Sequence, residues 1–191
     1  SKIAQVAKLI VEAKKPVIYG GGGLINSGPE ASKLLTELVN ITGIPTTLTL
    51  MGLGALSCDN KMFLGMLGMH GTYEANLSMY NCDVMLNIGA RFDDRITGNL
   101  KEFSLNSKKI HIDIDPSSIN KSVSVDIPII AEAVIVLMSF MLRKSTKHIF
   151  HNYCNLHFKC FLKLDLNEKH LNYVKNAMSK VVNSELGTAY K

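Results

Sequence analysis

The stretch DVMLNIGARFDDRITG, residues 83–98, decides how the rest of the chain is read. An apolar run, Val84–Ile88, stops at Gly89 and opens at once into a loop carrying Arg91, Asp93, Asp94 and Arg95. A run without apolar–polar alternation suits a strand covered on both faces, as in a parallel sheet. In open α/β sheets, ligands bind in the crevice beyond the carboxyl ends of the strands. Residues 109–113 repeat the pattern, ending in Asp113 and leading into Asp115-Pro116. Two successive strand ends that carry charge point to one shared pocket.

Working outward, residues 1–13 place Ile3, Val6, Ala7, Ile10 and Val11 on one helical stripe. Lys14-Lys15-Pro16 stops it, and 17–19 reads as a buried strand that runs into four glycines, 20–23. A second helix follows, with Ser27 as its expected cap, Pro29 in its first turn, and Gly43 as its stop. Further strands are expected at 45–50, 62–67, 84–88, 109–113 and 128–130, with helices over 73–81 and 131–142. Strands and helices alternating in this way predict a doubly wound, mainly parallel six-stranded α/β sheet, Rossmann-like, with right-handed crossovers.

Glycine follows the first four expected strands. Glycine lets a backbone approach a ligand closely, and a helix start beside such a loop favours phosphate. Gly21, Gly22 and Gly23 are therefore a candidate pyrophosphate cradle. The run is neither GxGxxG nor a Walker A loop, so taken alone it reads first as a tight strand-to-helix turn, and it is the four glycine-bearing ends on one rim that favour a large cofactor. Arg91 and Arg95, flanking Asp93 and Asp94, read either as a solvated ion-paired loop or as a fork for phosphate or carboxylate. Asp113 is the candidate hydroxyl binder, for a ribose or ribityl chain, and Asp115 the cap of the following turn. His70, between glycines, is a packed or hydrogen-bonded residue or an acid/base group.

Bulk properties narrow the class. With 47% hydrophobic and 19% charged residues, the 191-residue chain has the make-up of a globular protein with a buried interior. The net charge is +5, yet no compact basic stripe with interleaved aromatics appears, which argues against nucleic acid. Cys58, Cys82, Cys154 and Cys160 form no CxxC and read as reduced thiols in a cytoplasmic setting, or a plastid or mitochondrial one if the source is a eukaryote. The longest apolar stretch, 127–142, is broken by Pro128 and Glu132 and falls short of the ~20 residues a membrane span needs. His148, His151, Cys154, His157 and Cys160 recur every third residue, a spacing that drifts round a helix, so no metal site is expected from them.

The motifs KPVIYGGGG, TGIPTTLTLMGLGAL, FLGMLGMHGTYEAN, DVMLNIGARFDDRITG, HIDIDPSSINK and VDIPII together resemble the central domain of the acetolactate synthase (acetohydroxyacid synthase) large subunit. They cover about residues 1–142, in family order. The resemblance implies a transferase of branched-chain amino-acid biosynthesis. It would condense two pyruvates, or pyruvate and 2-oxobutyrate, using thiamine diphosphate and Mg2+. FAD would be bound in this domain.

Carried over by motif, the FAD site comprises Gly21, Gly22, Gly23, Thr49, Leu50, Met51, Leu67, Gly68, Met69, His70, Gly89, Ala90, Arg91, Asp93, Arg95 and Asp113. Met69 and Arg95 fall nearest the substrate, and no residue here is expected to be catalytic. Family partners would be small 2-oxo acids, a second copy in a homodimer and a regulatory small subunit.

Two departures stand out. The family usually has Gly-Asp where this chain has Ala131-Glu132, and from Arg143 the pattern stops. The expected organisation is a central FAD domain over 1–142 and a non-matching tail over 143–191, helical or loosely ordered. The family's thiamine-activating segments are not in this sequence, so the chain by itself is expected to be inactive; the alternative is a stand-alone or degenerate flavin- or nucleotide-binding module without catalysis.

Overall fold

Six short strands, none longer than six residues, lie parallel in one sheet. The computed structural model describes residues 2–142; the tail over 143–191, with its His and Cys series, lies outside the described residues. The strands are β1 (Pro16–Gly20), β2 (Thr46–Leu48), β3 (Phe63–Met66), β4 (Val84–Ile88), β5 (Lys108–Asp113) and β6 (Ile127–Ile130). Their spatial order is β3-β2-β1-β4-β5-β6, every neighbouring pair parallel. The winding reverses between β1 and β4. In a doubly wound sheet that reversal opens a crevice at the carboxyl ends of those two strands.

The helices are α1 (Lys2–Glu12), α2 (Gly22–Asn26), α3 (Pro29–Thr42), α4 (Tyr73–Asn81), α5 (Asp94–Thr97) and α6 (Ala133–Leu142). α1, α3 and α6 pack together. Val6 and Ile10 of α1, Leu35 and Leu38 of α3, and Leu137 and Phe140 of α6 are sealed from solvent with Ile18 and Ile110 of the sheet. Each such side chain stabilises the fold by about 1.5–3 kcal/mol. The opposite sheet face carries Tyr19 and His111. Phe92 packs on both, Phe103 on Phe92, and Tyr80 of α4 on Phe103. Among the described residues no helix is long and apolar enough to cross a membrane.

The parallel six-stranded sheet is the one the sequence predicts. Local differences have local causes. The cap of α3 is Gly28 at φ 85°, not Ser27, because the chain has just left the additional helix α2 and must turn through the left-handed region. Gly43, at φ 64°, ends α3 as expected. β2 stops at Leu48 because the Thr49 side chain caps a single 3-10 turn, Leu50–Gly52. α6 starts two residues later than expected. The Ala131 N–H still donates sheet-like to the Asp113 carbonyl, at 3.1 Å.

Candidate functional site

The expected site residues all follow the carboxyl ends of their strands: 21–23 after β1, 49–51 after β2, 67–70 after β3, 89–95 after β4, and Asp113 ending β5. Backbone hydrogen bonds stitch these segments into one rim. Gly21 N–H donates to the Ile88 carbonyl at 3.0 Å and Gly23 N–H to the Gly89 carbonyl at 2.9 Å. Thr49 N–H donates to Gly20 at 2.8 Å, Met69 N–H to Arg95 at 2.9 Å, and Gly89 N–H to Ile112 at 2.8 Å. Charged and small residues distant in sequence thus share one edge of the sheet.

The glycines of this rim first serve one another. A Cβ on Gly21 would stand 2.4 Å from the Gly89 carbonyl oxygen, and one on Gly23 would stand 2.6 Å from the Gly89 Cα. A Cβ on Gly68 would lie 2.7 Å from the Arg95 carbonyl oxygen. Side chains at these positions would force the loops apart, because the obstacles are backbone. The floor of the crevice is therefore closed by loop-on-loop packing. Gly22 is less crowded, its nearest neighbour being the Met51 Cβ at 3.2 Å. Of the three-glycine cradle, Gly21 and Gly23 form the support, and the Gly23 N–H is already donated within the rim.

Beneath the charged loop runs a polar row that sequence reasoning missed. The register sets Thr47, Tyr19, Asn87, His111 and Pro128 side by side across β2, β1, β4, β5 and β6. Thr47, Tyr19, Asn87 and His111 are fully buried. The Asn87 amide clasps Ala90, donating to its carbonyl at 2.7 Å and accepting from its N–H at 3.1 Å. The Tyr19 hydroxyl donates to the Arg91 carbonyl at 2.8 Å. Phe92 sits between the Tyr19 ring at 5.7 Å and the His111 ring at 5.3 Å. Burial pushes the Tyr19 phenol far above its ordinary range; Asp93 adds to the shift and Arg91 opposes it. The row fixes the backbone that carries Arg91 and Asp93. The available signal was a polar or hydroxylated residue inside each apolar run.

What reaches solvent differs along the rim. Leu67 and Ala90 are buried and can offer only backbone to a ligand. Leu50, Met51 and Met69 are 69%, 74% and 62% exposed, a large apolar surface held in water at strand ends. Ile114, 63% exposed beside Asp113, is a rim residue the sequence reading did not select. His70 is exposed. Arg91 pairs with Asp93 at 3.2 Å with both side chains half in solvent, a pair worth about 0–1 kcal/mol. Arg95 is exposed and, among the described residues, makes no ion pair. Asp115 caps its turn as expected, accepting from Ser117 N–H at 2.9 Å and from the Ser117 and Ser118 hydroxyls. Those hydrogen bonds hold its carboxyl below the usual range.

Chemically, the rim offers an apolar shelf, two exposed guanidinium groups and a partly covered carboxylate at Asp113. That set suits a flat, partly apolar, anionic ligand with hydroxyls. Among the described residues no three His, Cys, Asp or Glu side chains converge as metal donors.

Comparison with known proteins gives a consistent picture. The family described as thiamine pyrophosphate enzyme, central domain, matches residues 3–140. The chain is 49% identical over 136 residues to the acetolactate synthase isozyme 3 large subunit of Escherichia coli K12, covering 71% of this chain and 23% of that protein. It is 49% identical over 140 residues to the acetolactate synthase large subunit of Haemophilus influenzae, covering 73% and 24%. Against the corresponding subunit of Buchnera aphidicola from Schizaphis graminum it is 47% identical over 150 residues, covering 78% and 26%. The chain thus spans about a quarter of the length of these curated relatives.

Proposed function

The chain belongs to the thiamine pyrophosphate enzyme central-domain family, and from that premise we propose that it is the FAD-holding central part of an acetolactate synthase large subunit. The whole protein would be a transferase that condenses two pyruvates, or pyruvate and 2-oxobutyrate, working in the cytoplasm. Thiamine diphosphate and Mg2+ would be cofactors of that whole protein. Homodimerisation and a regulatory small subunit belong to the same proposal.

The observation that carries the FAD reading is the single stitched rim, where Leu50, Met51 and Met69 stand in water next to the Arg91 and Arg95 loop. These residues fit the ligand. The apolar shelf suits the flavin rings, the guanidinium groups suit the pyrophosphate, and the Asp113 carboxylate suits a hydroxyl of the ribose or ribityl chain. Gly22 is the residue of the glycine run best able to lie against the ligand. Bound flavin supplies a planar partner surface, because the overall condensation is redox-neutral. Met69 and Arg95 act next to the substrate, the Arg95 guanidinium orienting a 2-oxo acid carboxylate.

The test is an FAD titration of the purified 191-residue chain, followed by quenching of flavin fluorescence. Saturable binding in the micromolar range is expected, weakened by Met51→Asp. No binding at high micromolar FAD contradicts the reading. A second assay mixes the chain with pyruvate and thiamine diphosphate. No acetolactate is expected from this chain, whereas turnover would contradict its assignment to the FAD-holding part.

A further inference from the structure

His111 lies at the centre of the sheet, and the FAD site uses none of its chemistry. Its side chain has no exposure, and neither ring nitrogen closes a full hydrogen bond among the described residues: the Asp113 carboxylate and the Ala90 backbone lie near enough to raise its pKa but not to satisfy it. An orphaned polar group at such a depth costs about 1–3 kcal/mol, so its presence requires an explanation. The surroundings suggest one. Phe92 packs edge-on against the ring at 5.3 Å, and Asn87 is its register partner on β4. Nε2 points along the strand toward the rim, 3.7 Å from Asp113 Oδ2. The other Asp113 oxygen, Oδ1, is already committed to the Asp115 N–H at 2.9 Å. The Asp113 side chain is only 12% exposed.

We propose that His111 is a positioning residue for Asp113: its Nε2–H closes on Oδ2 when a ligand hydroxyl engages that carboxylate. The proposal rests on the reading of this rim as a nucleotide site. Catalytic and binding hydrogen bonds are often long without ligand and tighten in the complex. With Oδ1 held by Asp115 and Oδ2 held by His111, the carboxylate presents its remaining lone pairs in a fixed direction. A donor behind a carboxylate also keeps it from turning inward to satisfy itself. The ring is suited to this as a neutral donor. Burial holds the imidazole below its ordinary value, while Asp113 and the Ala90 backbone pull it back up. Among the described residues, the charged group that acts on the ring is Asp113 on its own strand, and the Tyr19 phenol lies across the Phe92 ring.

The decisive variant is His111→Phe in the 191-residue chain. It keeps a ring against Phe92 and removes both nitrogens. Replacing an unsatisfied buried polar group by an apolar one of similar shape should leave thermal stability equal or higher. FAD affinity should nevertheless fall about tenfold, the scale of one hydrogen bond to a charged group. His111→Gln, which retains an N–H donor, should recover part of the loss. ADP and FMN separate the two hydroxyl sources: loss with ADP assigns the ribose, loss with FMN alone the ribityl chain. A ligand-free arm follows the His111 ring nitrogens by NMR. Asp113→Ala should move the Nε2 resonance and lower the pH at which the ring titrates, because Asp113 raises it.

Unchanged FAD affinity in His111→Phe overturns the proposal, as does a His111 ring indifferent to Asp113→Ala. If the parent chain binds no FAD, the nucleotide reading falls. The NMR arm then decides the His111–Asp113 pair by itself.

Discussion

The two ends of this one sheet are built from similar residues and treat them in opposite ways. At the amino-terminal edge, charges are spent on backbone. Asp83 accepts from the N–H groups of Lys14 and Lys15 at 2.6 and 2.9 Å, tying the turn before β1 to the start of β4. Asp126 takes the Lys108 ammonium and the Lys109 N–H. The buried Lys109 ammonium donates to the Ser104 and Ser107 carbonyls at 2.7 and 3.3 Å. Burial lowers the Lys109 pKa, with Cys82 and Asp126 opposing, and burial raises that of Cys82 against the Ser104 and Ser107 hydroxyls. At the carboxyl-terminal rim, Arg95 is unpaired among the described residues and Met51 stands in water, and just beneath it His111 closes no full hydrogen bond. The amino-terminal edge satisfies its charges internally and the rim leaves several exposed, which distinguishes scaffold from the proposed site better than residue type does.

The sharpest way to break this contrast is to disturb the floor of the rim. Gly21→Ala drives a methyl into the Gly89 backbone and should cost about 3 kcal/mol in chemical denaturation, with FAD binding lost. Unchanged stability would mean that the loops are not packed as described. Next, Lys109→Ala strands two buried carbonyls at the other edge and should cost about 2 kcal/mol while FAD affinity stays put. A binding defect there would erase the distinction between the edges.

How much of this was legible in sequence follows the range of the interactions. β4 and α4 were predicted to the residue, because their signals are local. α2 was missed because its sequence, GGLIN, has poor helix propensity and depends on the bond from Gly23 to Gly89, far along the chain. The short α5 was hidden inside what read as a charged loop. The rim residues could be named by motif. Which of them are buried, and which glycines face glycines, could not. The Tyr19–Asn87–His111 row exists only once β1, β4 and β5 are in register, and no local pattern encodes that.

Smaller effects sharpen the comparison. Met51→Asp, at a position 74% exposed, should change stability by less than about 0.5 kcal/mol yet weaken FAD at least about tenfold, since a buried Met side chain is worth about 1.5–3 kcal/mol. Equal FAD affinity would remove Met51 from the shelf. The pH dependence of His111 is subtler. Its folded pKa lies below the unfolded 6.5, so between those values the unfolded chain binds more protons. Stability attributable to this residue is therefore present above 6.5 and lost as pH falls through the window. His111→Phe should flatten that slope in thermal melts; an unaltered slope would locate the titration elsewhere. Asp93→Asn, breaking a solvated pair, should shift stability by no more than about 1 kcal/mol.

The most direct measurement is amide hydrogen exchange on the 191-residue chain with and without FAD. The account predicts added protection at 21–23, 49–52, 67–71, 89–95 and 113–115, and none at 83 or 104–109. Protection concentrated at the Asp83, Ser104 and Lys109 edge, or none at the rim under saturating FAD, would contradict it.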